Sequence, residues 1–207
     1  MYKEKYINKY EVLEFGKFYH LYNKAIGSDL LFKTDQDYFY FLNKFDRYLG
    51  TYVDVYTYCL LPNHFHFNIR VKEEFEIIKK LNTKAKEFPL AKINQAFSNF
   101  FNSYTKSFNK IHERKGKLFM LPYKRILVDE EDYLLILINY IHRNPIHHGF
   151  VDHFSDWKYS SYVACISEKT TKIKREEVIS LFGTIDNFIK FHQENREKPG
   201  SGKYYLE

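Results

Sequence analysis

Residues 51–71, "TYVDVYTYCLLPNHFHFNIRV", narrow the fold more than any other stretch of the chain. The first half alternates and is dense in β-branched and aromatic residues, and the second half does the same after the turn-forming pair Pro62 and Asn63. Two strands joined by so short a turn form an antiparallel hairpin. In the second strand successive side chains point to opposite faces, so His64 and His66 share one face and Phe65 and Phe67 the other. Two imidazoles converge on one spot. Such a pair suits a metal, a phosphate or a hydrogen-bonded interior.

Periodicity on either side of the hairpin supplies the rest of the sheet. "GKFYHLYNKA" (16–25) reads as a first strand, and residues 34–49 as a helix with Tyr38, Phe41, Leu42, Phe45 and Leu49 at helical spacing. Thr34 with Asp37 three residues on forms a capping box. Residues 73–92, with Lys79, Lys80, Lys84 and Lys86, fit either a mobile insertion or short helices. A second helix follows over 93–112, where Phe97, Phe100, Phe101, Tyr104 and Phe108 form a stripe spaced for a core rather than for stacking on bases. "LFMLPYKRILV" reads as a strand that Pro122 restricts to an edge or a bend. "DEEDYLLILINYIHRNP" reads as a third helix, with Asp129 as N-cap, an acidic first turn and a stop before Pro145. The order strand, helix, strand, strand, helix, strand describes an α+β fold with a ferredoxin-like antiparallel sheet and helices on one face, to which the third helix is added. Two short amphipathic helices, 174–182 and 185–194, and a polar tail containing "KPGSGK" give a C-terminal helical extension, so we divide the chain into 1–163 and 164–207.

Composition limits where such a chain works and what it meets. Its two cysteines, Cys59 and Cys165, are too few for a disulfide framework, and it shows neither a signal peptide nor a bilayer-spanning apolar run, which together read as cytoplasmic with no membrane partner. A net charge of +6 and a pI near 9.0 favour a polyanionic partner. The aromatic share of 19% can fill a core or stack on planar ligands.

A second chemical candidate lies in "NYIHRNP", residues 139–145. Tyr140 and Asn144 are four apart and share a helix face. A tyrosine can act as a covalent nucleophile, and an amide carbonyl is a hard oxygen ligand suited to Mg²⁺ or Mn²⁺. The same residues would also serve as a buried Tyr and a helix-terminating Asn. The neighbours of His64 and His66 exclude two other HxH sites. A histidine-triad hydrolase would want a third His where Asn68 stands, and a metallo-β-lactamase-like site would want Asp and His directly after the pair.

Taken in order, "YCLLPNHFHFNIR", "SNFFNSYTKSFNKIHERKGKLF", "YIHRNPIHHGFV" and "DWKYSSY" resemble the single-tyrosine transposases of the HUH superfamily, closest in pattern to the REP-associated tyrosine transposases and related insertion-sequence members, over about residues 15–163. HUH denotes His, hydrophobe, His. The resemblance implies the HUH endonuclease fold, Tyr140 as nucleophile, and His64, His66 and Asn144 as ligands of Mg²⁺ or Mn²⁺. It implies a strand transferase that cuts and rejoins single-stranded DNA associated with hairpins or palindromic repeats through a 5′-phosphotyrosine, as a monomer or a homodimer. Arg70, Lys115, Lys117, Lys124, Arg125 and Arg143 flank these motifs and are the expected DNA-binding residues. His142, His147, Lys124 and Arg143 are candidates to assist Tyr140, with His147 and His148 kept outside the catalytic set. A catalytically quiet DNA-binding protein and a relaxase-like nickase are the alternatives. Motif order opposes the latter, because relaxases commonly place Tyr before the HUH pair.

Overall fold

The computed structural model describes residues 9–82 and 88–195. Its elements are β1 (Phe18–Lys24), α1 (Asp35–Leu49), β2 (Val53–Leu61), β3 (His64–Val71), α2 (Glu74–Leu81), α3 (Ala91–Ile111), β4 (Lys124–Val128), α4 (Glu131–His147), α5 (Tyr162–Ile166), α6 (Arg175–Phe182) and α7 (Ile185–Glu194). The strands form one antiparallel sheet in the order β2-β3-β1-β4, the ferredoxin-like arrangement expected from the sequence. Lys84, Lys86 and the "KPGSGK" segment lie outside the described residues.

Alternation along the strands divides the sheet into two faces with different partners. Tyr19, Leu21, Phe65, Phe67 and Ile69 pack against α1 and α3 in an aromatic core that includes Phe41, Phe45, Phe97, Phe100, Phe101, Tyr104 and Phe108. Phe45 stacks on Phe67 with ring centroids 4.4 Å apart, and Phe41 meets Phe100 edge to face at 5.0 Å. The α3 stripe is therefore core, as its spacing indicates. Asp37 accepts the Thr34 N–H at 2.9 Å, which fixes the start of α1, and also receives His112 from the end of α3 at 2.9 Å.

The opposite face carries α4. Ile126, Val128, Cys59 and Leu61 pack there with Leu137, Ile138 and Ile141, and this second core continues into Val178 of α6 and Phe188 of α7. Helices on one face thus describe α1 and α3, while α4 and the C-terminal helices cover the other. The 163/164 division falls inside α5, and α6 and α7 share a core with α4.

Three local expectations change. The N-cap of α4 is Glu130 rather than Asp129, and β4 begins only after Pro122, although it does lie at the sheet edge. Helix α4 does not stop before Pro145. Every residue from Leu137 to Pro145 is buried, and burial between the sheet and the C-terminal helices outweighs the single backbone bond that Pro145 cannot donate. The last turn closes through the His148 N–H to the Asn144 carbonyl at 3.0 Å, and Gly149 then leaves it at φ +70°.

The "DWKYSSY" motif is bound to the free edge of β2. Trp157 Nε1 donates to the Leu60 carbonyl at 2.9 Å, the Leu60 N–H to the Tyr159 carbonyl at 3.0 Å, and the Tyr58 N–H to Ser161 Oγ at 2.8 Å. Its role is to cover an edge strand whose unpaired backbone would otherwise be exposed.

Candidate active site

The site is built on the α4 face of the sheet, where three cross-strand rows lie side by side. Leu61, His64 and Lys24 form the first, Cys59, His66, Tyr22 and Lys124 the second, and Thr57, Asn68 and His20 the third. Helix α4 brings Tyr140 and Asn144 to the first two. Together they line a cavity of about 460 Å³ that holds His64, His66, Tyr140, Asn144, Tyr22, Lys24, Lys124 and His148, with Tyr10, Met120, Leu121 and Phe150 among the residues around it. The rings of His64 and His66 lie 5.3 Å apart, and the Tyr140 ring meets that of His66 edge to face at 5.4 Å. The four residues singled out in two distant motifs therefore converge.

Local chemistry decides what each can do. His66 is buried, and the loss of hydration lowers its pKa well below the ordinary imidazole value, with His20, His64 and His148 acting in the same direction. Its ring is neutral, as a metal ligand must be. His66 Nδ1 lies 2.9 Å from His20 Nε2, and His64 Nδ1 donates to Asn63 Oδ1 at 2.8 Å, which makes Nε2 the lone-pair nitrogen of His64. Asn144 Nδ2 donates to the Tyr140 carbonyl at 2.8 Å, whereas Asn144 Oδ1 is buried and accepts no hydrogen bond from the described residues. An orphaned amide oxygen is costly unless something occupies it, and a divalent cation is a partner of the right hardness. Among the described residues no three His, Cys, Asp or Glu side chains converge as metal ligands, so a cation here depends on this amide oxygen beside the two histidines.

The basic candidates separate. Lys124 lines the cavity with its Nζ 5.2 Å from the centre of the Tyr22 ring, and partial burial, with Lys9 and Lys24 nearby, lowers its pKa. Lys115 and Lys117 are exposed on the turn after α3, outside the cavity. Arg70 sits at the other end of β3, held by Asp54 at 2.9 Å and Glu76 at 3.3 Å. Arg125 donates to the Glu11 carbonyl and stacks over Tyr123 at 5.0 Å, and Arg143 is buried. Arg70 and Arg143 are thus absorbed by the fold rather than presented to a ligand.

Of the groups expected to assist Tyr140, His142 is turned to other work. It is fully buried, with Nδ1 3.0 Å from His192 Nε2 and Nε2 2.8 Å from Ser161 Oγ, joining α4 to α7 and to the edge motif. His147 is exposed outside the cavity, whereas His148, set aside in the sequence, lines it with its ring 4.9 Å from that of His64. His20, Tyr22 and Lys24 were also missed. Their alternation in β1 puts them on one face, but only the pairing with β3 shows that this is the face of His66.

No family model matches the chain. A Haemophilus influenzae protein named as a REP-associated tyrosine transposase is 26% identical over 106 residues, 50% of this chain and 56% of that protein, so the match spans about half of each. The solved structure of a REP-associated tyrosine transposase bound to a REP hairpin superposes with a TM-score of 0.53, covering 81% of this chain and 86% of that one at 15% identity, a likeness of fold. The motifs, the partial sequence match and the shared fold point the same way: the chain is similar to the REP-associated tyrosine transposases over about half its length and shares their fold.

Proposed function

We propose that this protein is a metal-dependent strand transferase that cuts and rejoins single-stranded, hairpin-associated DNA through Tyr140. The observation that carries the reading is the convergence of Tyr140, His64, His66 and the orphaned Asn144 Oδ1 on one cavity. All four come from one chain, so the reading requires no second copy to complete the site.

The phenolic oxygen of Tyr140 attacks the scissile phosphorus, the bond from phosphorus to the 3′ oxygen breaks, and the products are a 5′-phosphotyrosine and a free 3′-OH. The phenolic proton leaves to solvent or a nearby base, and the departing 3′ oxygen takes one up. Mg²⁺ or Mn²⁺, held by His64, His66 and Asn144, supplies Lewis-acid polarisation of the phosphate when bound. Lys124 and Lys24 place positive charge where the phosphate enters. Because the phosphotyrosine keeps the phosphodiester energy, the 3′-OH of another strand can reverse the step and rejoin DNA without ATP. The exposed Tyr10, Leu121 and Phe150 offer apolar surface to unpaired bases at the mouth.

The test is incubation with hairpin oligonucleotides carrying a single-stranded flank labelled 3′ of the cut, in Mg²⁺ or Mn²⁺. A denaturation-resistant protein–DNA band is expected, absent in EDTA and on blunt duplex. Failure of the folded protein to form it on any hairpin or single strand tested would leave a DNA-binding protein without cleavage.

A further inference from the structure

The sequence contains a third histidine that neither the motif reading nor the proposed chemistry uses. His20 lies in the middle of β1, fully buried, with its ring stacked beside that of His66 at 5.1 Å and 22°. Tyr22 stacks on the other neighbours of this group, 4.6 Å from His20 and 5.6 Å from His66, so the three rings form a packed set with little room to rotate. The one polar contact inside that set is His20 Nε2 to His66 Nδ1, 2.9 Å.

Two imidazole nitrogens at that distance share one proton, and there are only two ways to place it. If His20 donates, His66 Nδ1 carries the lone pair, Nε2 carries the hydrogen, and His66 cannot ligate through Nε2. If His66 donates, its Nε2 carries the lone pair. His64 has the second arrangement already, imposed by the Asn63 side-chain oxygen. We propose that His20 is a positioning residue that accepts the His66 Nδ1 proton, fixing the ring and tautomer in which His66 Nε2 is a metal ligand. This rests on the reading of His64, His66 and Asn144 as a metal site.

A further feature favours it. Ligating histidines are generally held through their second nitrogen, usually by a carboxylate, a backbone carbonyl or water, and here the neighbour supplied by the sheet is a neutral imidazole. A neutral acceptor adds no net charge to a fully buried position. His20 Nδ1 must then carry a hydrogen, and it has no acceptor among the described residues. Directly across the ladder stands Asn68, whose side-chain oxygen and nitrogen are both buried and without hydrogen bonds to the described residues. The amide on that row carries both a donor and an acceptor, so it accommodates the His20 Nδ1–H that this tautomer leaves over without itself selecting the tautomer.

The experiment uses the full chain and Mn²⁺ as the probe, with binding followed by calorimetry and by the electron paramagnetic resonance of the free ion. His20→Phe fills the space without an acceptor and is expected to weaken Mn²⁺ binding by about 10- to 100-fold, and His20→Gln, whose amide oxygen can accept, to recover most of it. Nitrogen chemical shifts of the His66 ring in metal-free wild type are expected to show the proton on Nδ1. The proposal is overturned by a folded His20→Phe protein that binds Mn²⁺ as tightly as wild type, or by a proton on His66 Nε2. If His20→Phe does not fold, His20→Gln and the wild-type shifts decide. Absence of Mn²⁺ binding in a wild type with Nδ1 protonated would overturn the metal reading while upholding the tautomer.

Discussion

Asn144 donates its side-chain amide to the main-chain carbonyl of Tyr140, 2.8 Å away and one helical turn earlier, and its own oxygen is left buried without a hydrogen bond to the described residues. The same residue thus anchors itself to the nucleophile candidate's backbone and offers the cavity an unused acceptor. Asn144→Ala is expected to raise the Mg²⁺ or Mn²⁺ concentration for half-maximal cleavage by about 10- to 100-fold with the Tyr140 adduct still forming at saturation. An unchanged metal titration would remove Asn144 from the site.

Tyr140 is one of three tyrosines lining the cavity, with Tyr10 and Tyr22. Tyr22 is a poor nucleophile, because burial pushes its pKa up to about 12. Tyr140→Phe removes only the hydroxyl and is expected to abolish the covalent band and lower cleavage by about 1,000-fold or more. Tyr22→Phe and Tyr10→Phe should keep the adduct. Tyr133, the nearest alternative in the sequence, lies in the second core and outside the cavity lining. Persistence of the band in Tyr140→Phe, together with its loss in any of the other three, would reassign the nucleophile.

The basic residues should divide by position. Lys24→Ala and Lys124→Ala are each expected to lower the dependence of log affinity on log salt by about 0.7 for single-stranded DNA, the share of one phosphate contact. Arg70→Ala should leave that slope unchanged and instead cost about 1 kcal/mol of folding stability, since Asp54 and Glu76 lose one partner while Asp54 keeps Lys72. Salt-dependent binding isotherms and urea unfolding separate the two outcomes.

His192 makes stability depend on pH. Its Nδ1–H donates to the Phe188 carbonyl at 2.8 Å and its Nε2 accepts from His142, an arrangement that requires a neutral ring, and burial lowers its pKa to about 4 although the carbonyl opposes this. The unfolded chain binds a proton near pH 6.5 that the folded one refuses until about pH 4. The stabilisation is therefore complete above about pH 6.5 and lost as pH falls toward 4, at roughly 1.4 kcal/mol per pH unit. Urea midpoints measured across that range should fall steeply in wild type and less so in His192→Gln.

Much of this was legible in the chain. The period-two alternation of β3 placed His64 and His66 on one face, and the helical spacing of four placed Tyr140 and Asn144 on another, because side-chain direction within one element follows from backbone geometry. The aromatic stripe of α3 and the capping pair Thr34 and Asp37 were readable for the same reason. Helix α4 running through Pro145 was not, since local rules for proline cannot weigh the burial of nine consecutive residues, 137–145, against one missing hydrogen bond.

The sequence by itself determined which residues are candidates for the chemistry and which of them share a face within one strand or one helix. The tertiary structure alone decided that α4 crosses the histidine face of the sheet, that His20 and Tyr22 stand beside His66, and that Arg70, Arg143 and His142 are used up by Asp54, by burial and by His192. The physical reason is that periodicity is a property of a few successive residues. Strand register, the face a helix covers and the partner a buried charge finds are set by contacts between residues separated in the chain, such as His20 with His66, 46 positions apart, and Tyr56 with Glu177, 121 apart.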